Sequence, residues 1–100
     1  MSVGGLSPTQ PATAAVQAIT DQVRSQLESR ENQTFAILWA IEYRTQVVAG
    51  NNYFIKVQYG DGTHSYAHLR VFQALPVNGG QVELQGCQLR HTRTDPLTYF

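Results

Sequence analysis

Cys87 and His91 are the first pair in this 100-residue chain that could do chemistry, since a thiolate beside an imidazole is a nucleophile with its base. Four residues apart on a strand, they point the same way but stand about 13 Å from each other, too far for direct proton transfer. Cys87 is therefore read as a small packed hydrophobe. His64 and His68 raise a metal pair and meet the same objection. On a helix i and i+4 share a face, but on a strand they again lie about 13 Å apart, whereas a zinc ion needs its ligands within about 2 Å. They read as solvent-face histidines. The acidic residues are scattered singly and form no carboxylate dyad, and no glycine-rich phosphate loop opens a helix. No catalytic residue, metal or cofactor is expected.

Composition narrows the partner. Seven basic and seven acidic side chains cancel, and the isoelectric point is near 6.8. Nucleic acid and anionic membranes both require clustered Lys and Arg, so neither is expected as the main partner. With 42% hydrophobic residues the chain is globular, and 100 residues make one domain over 1–100. A lone cysteine cannot close an internal disulfide, which points to a reducing compartment: the cytoplasm, with the nucleus also open. The first 20 residues carry no charge but are broken by Pro8, Gln10, Pro11 and Gln17, so neither a signal peptide nor a membrane span is expected. Asn32-Gln33-Thr34 fits the glycosylation pattern and has no weight outside a secretory route.

Residues 1–10, rich in Gly, Ser and Pro, read as a mobile N-terminal arm. Val16, Ile19, Val23 and Leu27 then repeat at helical spacing and predict one amphipathic helix over 11–32. Beyond residue 34 the period shifts toward 2, and an antiparallel sheet of four main strands is expected over 35–91. Phe35, Ile37, Trp39, Ile41 and Tyr43 alternate in the first strand, although Leu38 and Ala40 blur its buried face. Tyr53, Ile55, Val57 and Tyr59 mark the second against polar Lys56 and Gln58; Ala67, Leu69 and Val71 mark the third. In the last, Val82 and Leu84 are out of phase with Cys87 and Leu89, and Gly86 is where a bulge could absorb the slip. One helix covering one sheet face is an α+β domain, with residues 92–100 as a tail laid along the sheet.

The anomaly lies in the connections. Hairpin tips face water, yet Gln46-Val47-Val48-Ala49-Gly50 has three successive apolar side chains, and the link before the last strand begins Leu75-Pro76-Val77. In an antiparallel meander alternate connections fall at one end, so these tips are neighbours, with Gly60-Asp61-Gly62 opposite.

Gln46-Val47-Val48-Ala49-Gly50 resembles the QxVxG hairpin of the cystatin superfamily, inhibitors of papain-like cysteine proteases. Thr9-Gln10-Pro11-Ala12-Thr13, Asp21 through Leu27, Asn52 through Val57, His68 through Gln73, and Leu97-Thr98-Tyr99-Phe100 extend the likeness to the stefins, the intracellular, disulfide-free type 1 members. Trp39, Val77, Cys87 and Pro96 depart from the stefin pattern. The resemblance implies a cystatin-like fold and a wedge that enters the protease cleft reversibly and competitively. Carried over, Gly4 or Gly5 would let the arm lie along the unprimed subsites, Gln46 to Gly50 would sit over the catalytic cysteine and histidine, and Leu75 and Pro76 would meet the primed side. Implied partners are cathepsins of the B, H, L and S type, bound by a monomer that can also form a domain-swapped dimer. Two other readings stay open: a non-inhibitory interaction module on the same scaffold, and a small hydrolase using Cys87.

Overall fold

The computed structural model describes residues 5–100, and the chain runs β1 (Gln10–Pro11), α1 (Ala14–Glu31), β2 (Trp39–Val48), β3 (Gly50–Gln58), β4 (Tyr66–Gln73), β5 (Val82–His91). The helix begins later than expected because Pro11 is already committed to β1 and the Ala12 amide donates to the Ile41 carbonyl at 3.0 Å. Thr13 is its N-cap, with Oγ1 accepting from the Val16 amide, and Asn32 closes it at φ 54°, a left-handed position that Asn tolerates. Val16, Ile19, Val23 and Leu27 are all buried against the sheet, each contributing about 1.5–3 kcal/mol before entropy is charged. Two glutamines flank this stripe, nine residues or about two and a half turns apart and so on opposite flanks. Gln17 accepts from the Ala40 amide and donates to the Leu38 carbonyl; Gln26 accepts from the Leu84 amide and donates to the Val82 carbonyl. The helix is thereby tied to both outer parts of the sheet.

All neighbours in the sheet are antiparallel, in the order β1-β2-β3-β4-β5. Phe35, expected to open the first strand, instead plugs the core ahead of it. Its amide donates to Glu28 and its carbonyl accepts from Arg24. A bulge between Ala40 and Glu42 explains the blurred alternation: Ala40 faces the helix opposite Val57, Ile41 is the extra residue, and Tyr43 faces the helix opposite Ile55. Ile37 and Trp39 are left exposed. In β5, Gly86 pairs with Arg70 and Leu84 with Val71, so Gln85 is the extra residue and the slip in phase is absorbed beside Gly86.

The second face of the sheet departs most from expectation. His68, expected on the solvent face, and polar Lys56 are each 1% exposed, His68 under the stacked His91 ring and Lys56 under the carbonyls of Arg93 and Asp95. Leu97 is buried, the rings of Tyr99 and Phe100 pack on Phe54, and the Phe100 ring occupies the space a Cβ on Gly86 would need. Lys56 Nζ donates to the carbonyls of Arg93 and Asp95 and lies 3.3 Å from the Glu42 carboxylate. His91 stacks on His68 with ring centroids 3.8 Å apart. Asp95 accepts from His91, the Thr92 amide and the Thr92 hydroxyl.

This layer sets an acid limit. Burial above all, with His91 and Lys56 adding to it against the opposing Asp95, lowers the His68 imidazole from 6.5 to about 4. Between those values the unfolded chain binds a proton that the folded chain refuses, so stability falls as pH falls across the window, by about 3 kcal/mol in full. Asp95, held well below the carboxylate range by its Thr92 and His91 hydrogen bonds, adds its loss only in stronger acid. Urea midpoints measured through the window are expected to fall with pH, and His68→Gln is expected to flatten that slope.

Candidate functional site

Three chain segments meet at one end of the sheet. Strand pairing fixes the first hairpin: Val47 opposes Asn51, Val48 opposes Gly50, and Ala49 is the bend between. The second is built on a single 3-10 turn, Pro76–Asn78, closed by Asn78 and Gly80 amides donating to the Leu75 carbonyl and by the Ala74 amide donating to Gln81. Gly79 and Gly80 take φ 101° and 65°, which the turn requires and glycine supplies. The two tips are adjacent because Asn51 pairs with Gln73. The arm joins on the other side: the Ser7 amide donates to the Thr45 carbonyl and Ser7 Oγ accepts from the Thr45 amide, both at 2.8 Å.

The tips are apolar and open to water. Val47 is 69% exposed, Leu75 40% and Val77 85%, three of the six exposed large hydrophobic side chains among the described residues. Val48 is half-buried, Ala49 and Pro76 are exposed, and no charged side chain lies within 46–50 or 74–80. Gln46 and Gly50 are different in kind. Gln46 is buried at the hairpin base, its Oε1 accepting from Asn52 Nδ2 at 3.0 Å. Gly50 sits at φ 132°, and a Cβ there would lie 2.5 Å from the Gln73 carbonyl oxygen and 2.8 Å from the Phe72 ring. Gly50 thus lets the start of β3 approach β4 closely within the chain. Gly5 is exposed, two residues before the Ser7 anchor; Gly4 lies outside the described residues. Sequence reasoning missed Ser7, Thr45 and Arg44 as the arm's anchor, although Ser7 precedes Pro8 and is biased to the extended backbone that an edge strand accepts.

The residues first suspected of chemistry are not brought together. Cys87 pairs with Leu69 and packs against the helix-side core, whereas the His91 ring stacks on His68 across the sheet. Their expected common face is lost because Arg90 takes φ 64° and breaks the alternation between them. Burial, with Glu31 nearby, pushes the Cys87 thiol up to about 12, the reverse of what a nucleophile needs. His64 is exposed on the connection between β3 and β4, while His68 is buried against the His91 ring.

A family model described as a cystatin domain matches residues 4–94. Cystatin-B of Sus scrofa is 51% identical over 100 residues, covering all of this chain and all of its own length, as is Cystatin-B of Homo sapiens. Stefin-C of Bos taurus is 50% identical over 99 residues, 99% of this chain and 96% of its own.

Proposed function

Because the chain belongs to the cystatin family, whose members inhibit cysteine proteases and are not enzymes, we propose that it blocks papain-like proteases by inserting the edge just described into their cleft. The observation that carries this reading is the uncharged, apolar edge itself, made of Leu6 and its neighbours, Val47 to Ala49, and Leu75 to Val77. Val47, Leu75 and Val77 gain at about 25 cal/mol per Å² when a cleft removes them from water. Hairpins closed by their own hydrogen bonds have little ordering entropy left to lose. The same closure protects the inhibitor: a protease cleaves extended chain, and the tip peptide between Val48 and Gly50 is held by strand pairing. Inhibition is then reversible and competitive. Gly5 and the arm serve the unprimed side, Val47 to Ala49 cover the catalytic pair, and Leu75 and Pro76 serve the primed side.

The interaction-module alternative has less support, because the helix covers one sheet face and the tail packs on the other, and the exposed apolar side chains away from the tips, Ile37, Trp39 and Tyr99, are scattered over the rest of the molecule. The targets we favour are cathepsins of the B, H, L and S type, met in the cytoplasm by a monomer. The absence of a disulfide partner for Cys87 supports that compartment.

Titration of papain tests the reading. The chain is expected to inhibit at submicromolar concentration without being cut, and Val48→Asp is expected to weaken inhibition at least tenfold by desolvating a carboxylate, with the urea midpoint nearly unchanged. No inhibition at micromolar protein, or progressive cleavage of the chain, would remove the protease reading. Equal inhibition by the variant would remove the first hairpin from it.

A further inference from the structure

We infer that Arg44 is a positioning residue for inhibition, through which the C-terminal tail sets the N-terminal arm. Arg44 lies on β2 opposite Phe54, on the tail-covered face, one residue from the strand position that receives the arm. Its guanidinium spans the two: Nε donates to the Ser7 carbonyl and Nη1 to the Leu97 carbonyl, each at 2.8 Å. Leu97 is 2% exposed, so that acceptor is fixed by the core rather than free to follow the arm.

Ser7 is held from every side. Its amide and hydroxyl are taken by Thr45, and Arg44 takes its carbonyl. Gly5 and Leu6, which have no hydrogen bonds of this kind, leave from that fixed point toward the tips. A planar guanidinium suits the task, because its donors diverge in a rigid fork, and two charge-assisted bonds fix Ser7 relative to Leu97 more tightly than one could. The tail is in turn seated by Lys56 on the Arg93 and Asp95 carbonyls and by the Asp95 turn. Residues 92–97 thus act on the arm without touching a protease.

The inference rests on the protease reading, and two readouts separate their failures. Amide hydrogen exchange needs no protease. Arg44→Gln is expected to speed exchange at the Ser7 amide about tenfold while amides of β3 stay unchanged, and Asp95→Ala, which loosens the tail remote from the edge, is expected to move Ser7 in the same direction. Against papain, Arg44→Gln is expected to raise the inhibition constant about tenfold through faster dissociation, and Arg44→Lys, which keeps a charge but no fork, to recover part of it. In a chain lacking residues 1–5 the Arg44→Gln change is expected to cost less than twofold, since there is little arm left to position. An undiminished cost in that shortened chain, or unchanged Ser7 exchange in Arg44→Gln, would overturn the positioning role. Unchanged Ser7 exchange in Asp95→Ala would remove the tail from it. A full chain that fails to inhibit papain would overturn the protease reading, with exchange at Ser7 still deciding whether Arg44 holds the arm.

Discussion

Gly50→Ala is expected to destabilise the domain by about 3 kcal/mol and to weaken papain inhibition about 100-fold, the equivalent of about 2.8 kcal/mol. The added carbon would stand 2.5 Å from the Gln73 carbonyl oxygen, a backbone atom that cannot rotate away, and the residue would have to hold φ 132° with a side chain. Relief requires the start of β3 to move off the end of β4. That movement separates the two apolar tips, which are held side by side by the end of the β3 and β4 ladder, Asn51 on Gln73 and Asn52 on Phe72. Inhibition should therefore fall further than the change at one tip could explain, while the far end of the same strands stays protected from hydrogen exchange. Papain titration beside a urea unfolding curve checks both halves. A variant with full inhibition would show that the tips act independently.

Lys56→Ala is expected to have a comparable effect on stability and little on the two hairpin tips. The variant is expected to lose about 3–5 kcal/mol, because it vacates a site only 1% exposed and strips the Arg93 and Asp95 carbonyls of their donor. Leu97, Tyr99 and Phe100 should loosen as a group, since they cover the face that Lys56 pins. Lys56→Met, which fills most of the volume, is expected to recover the packing part of the loss and leave the tail loose. Urea midpoints and the exchange rate of the Asp95 amide, which donates to the Thr92 carbonyl, distinguish the two contributions. A tail that stays protected in both variants would show that the rings alone hold it.

The helix-facing side of this molecule was readable from periodicity. Val16, Ile19, Val23 and Leu27 recur at helical spacing, Ile55, Leu69 and Val71 alternate, and all are buried in one core. Two of the three register shifts also left a trace, as Leu38 and Ala40 out of phase before the β2 bulge, and Leu84 against Cys87 beside Gly86; the third, at Arg90, left none. The apolar tips stood out because Val47 and Leu75 have no business in a turn exposed to water. Lys56 and His68 could not be read in the same way. Their polarity says solvent; the tail over residues 92–100 was expected along the sheet, but its seating on Lys56 depends on bonds to backbone carbonyls that no side-chain pattern records, and the His91 ring reaches His68 only through the turn of phase at Arg90. Arg44 was invisible for the same reason, because both its acceptors are carbonyls.

Gln17 and Gln26 bear on the open edges of the sheet. An open strand edge is a template for adding another strand, and a five-stranded sheet has two such edges. At Leu38 to Ala40 and at Val82 to Leu84 the free backbone groups are already occupied by glutamines from the helix. A strand added at either of these stretches would have to displace a helix glutamine first, and loosening the helix also uncovers Val23 and Leu27. Strand addition at these stretches is thereby coupled to loosening of the helix, and conditions that loosen the helix are expected to favour it.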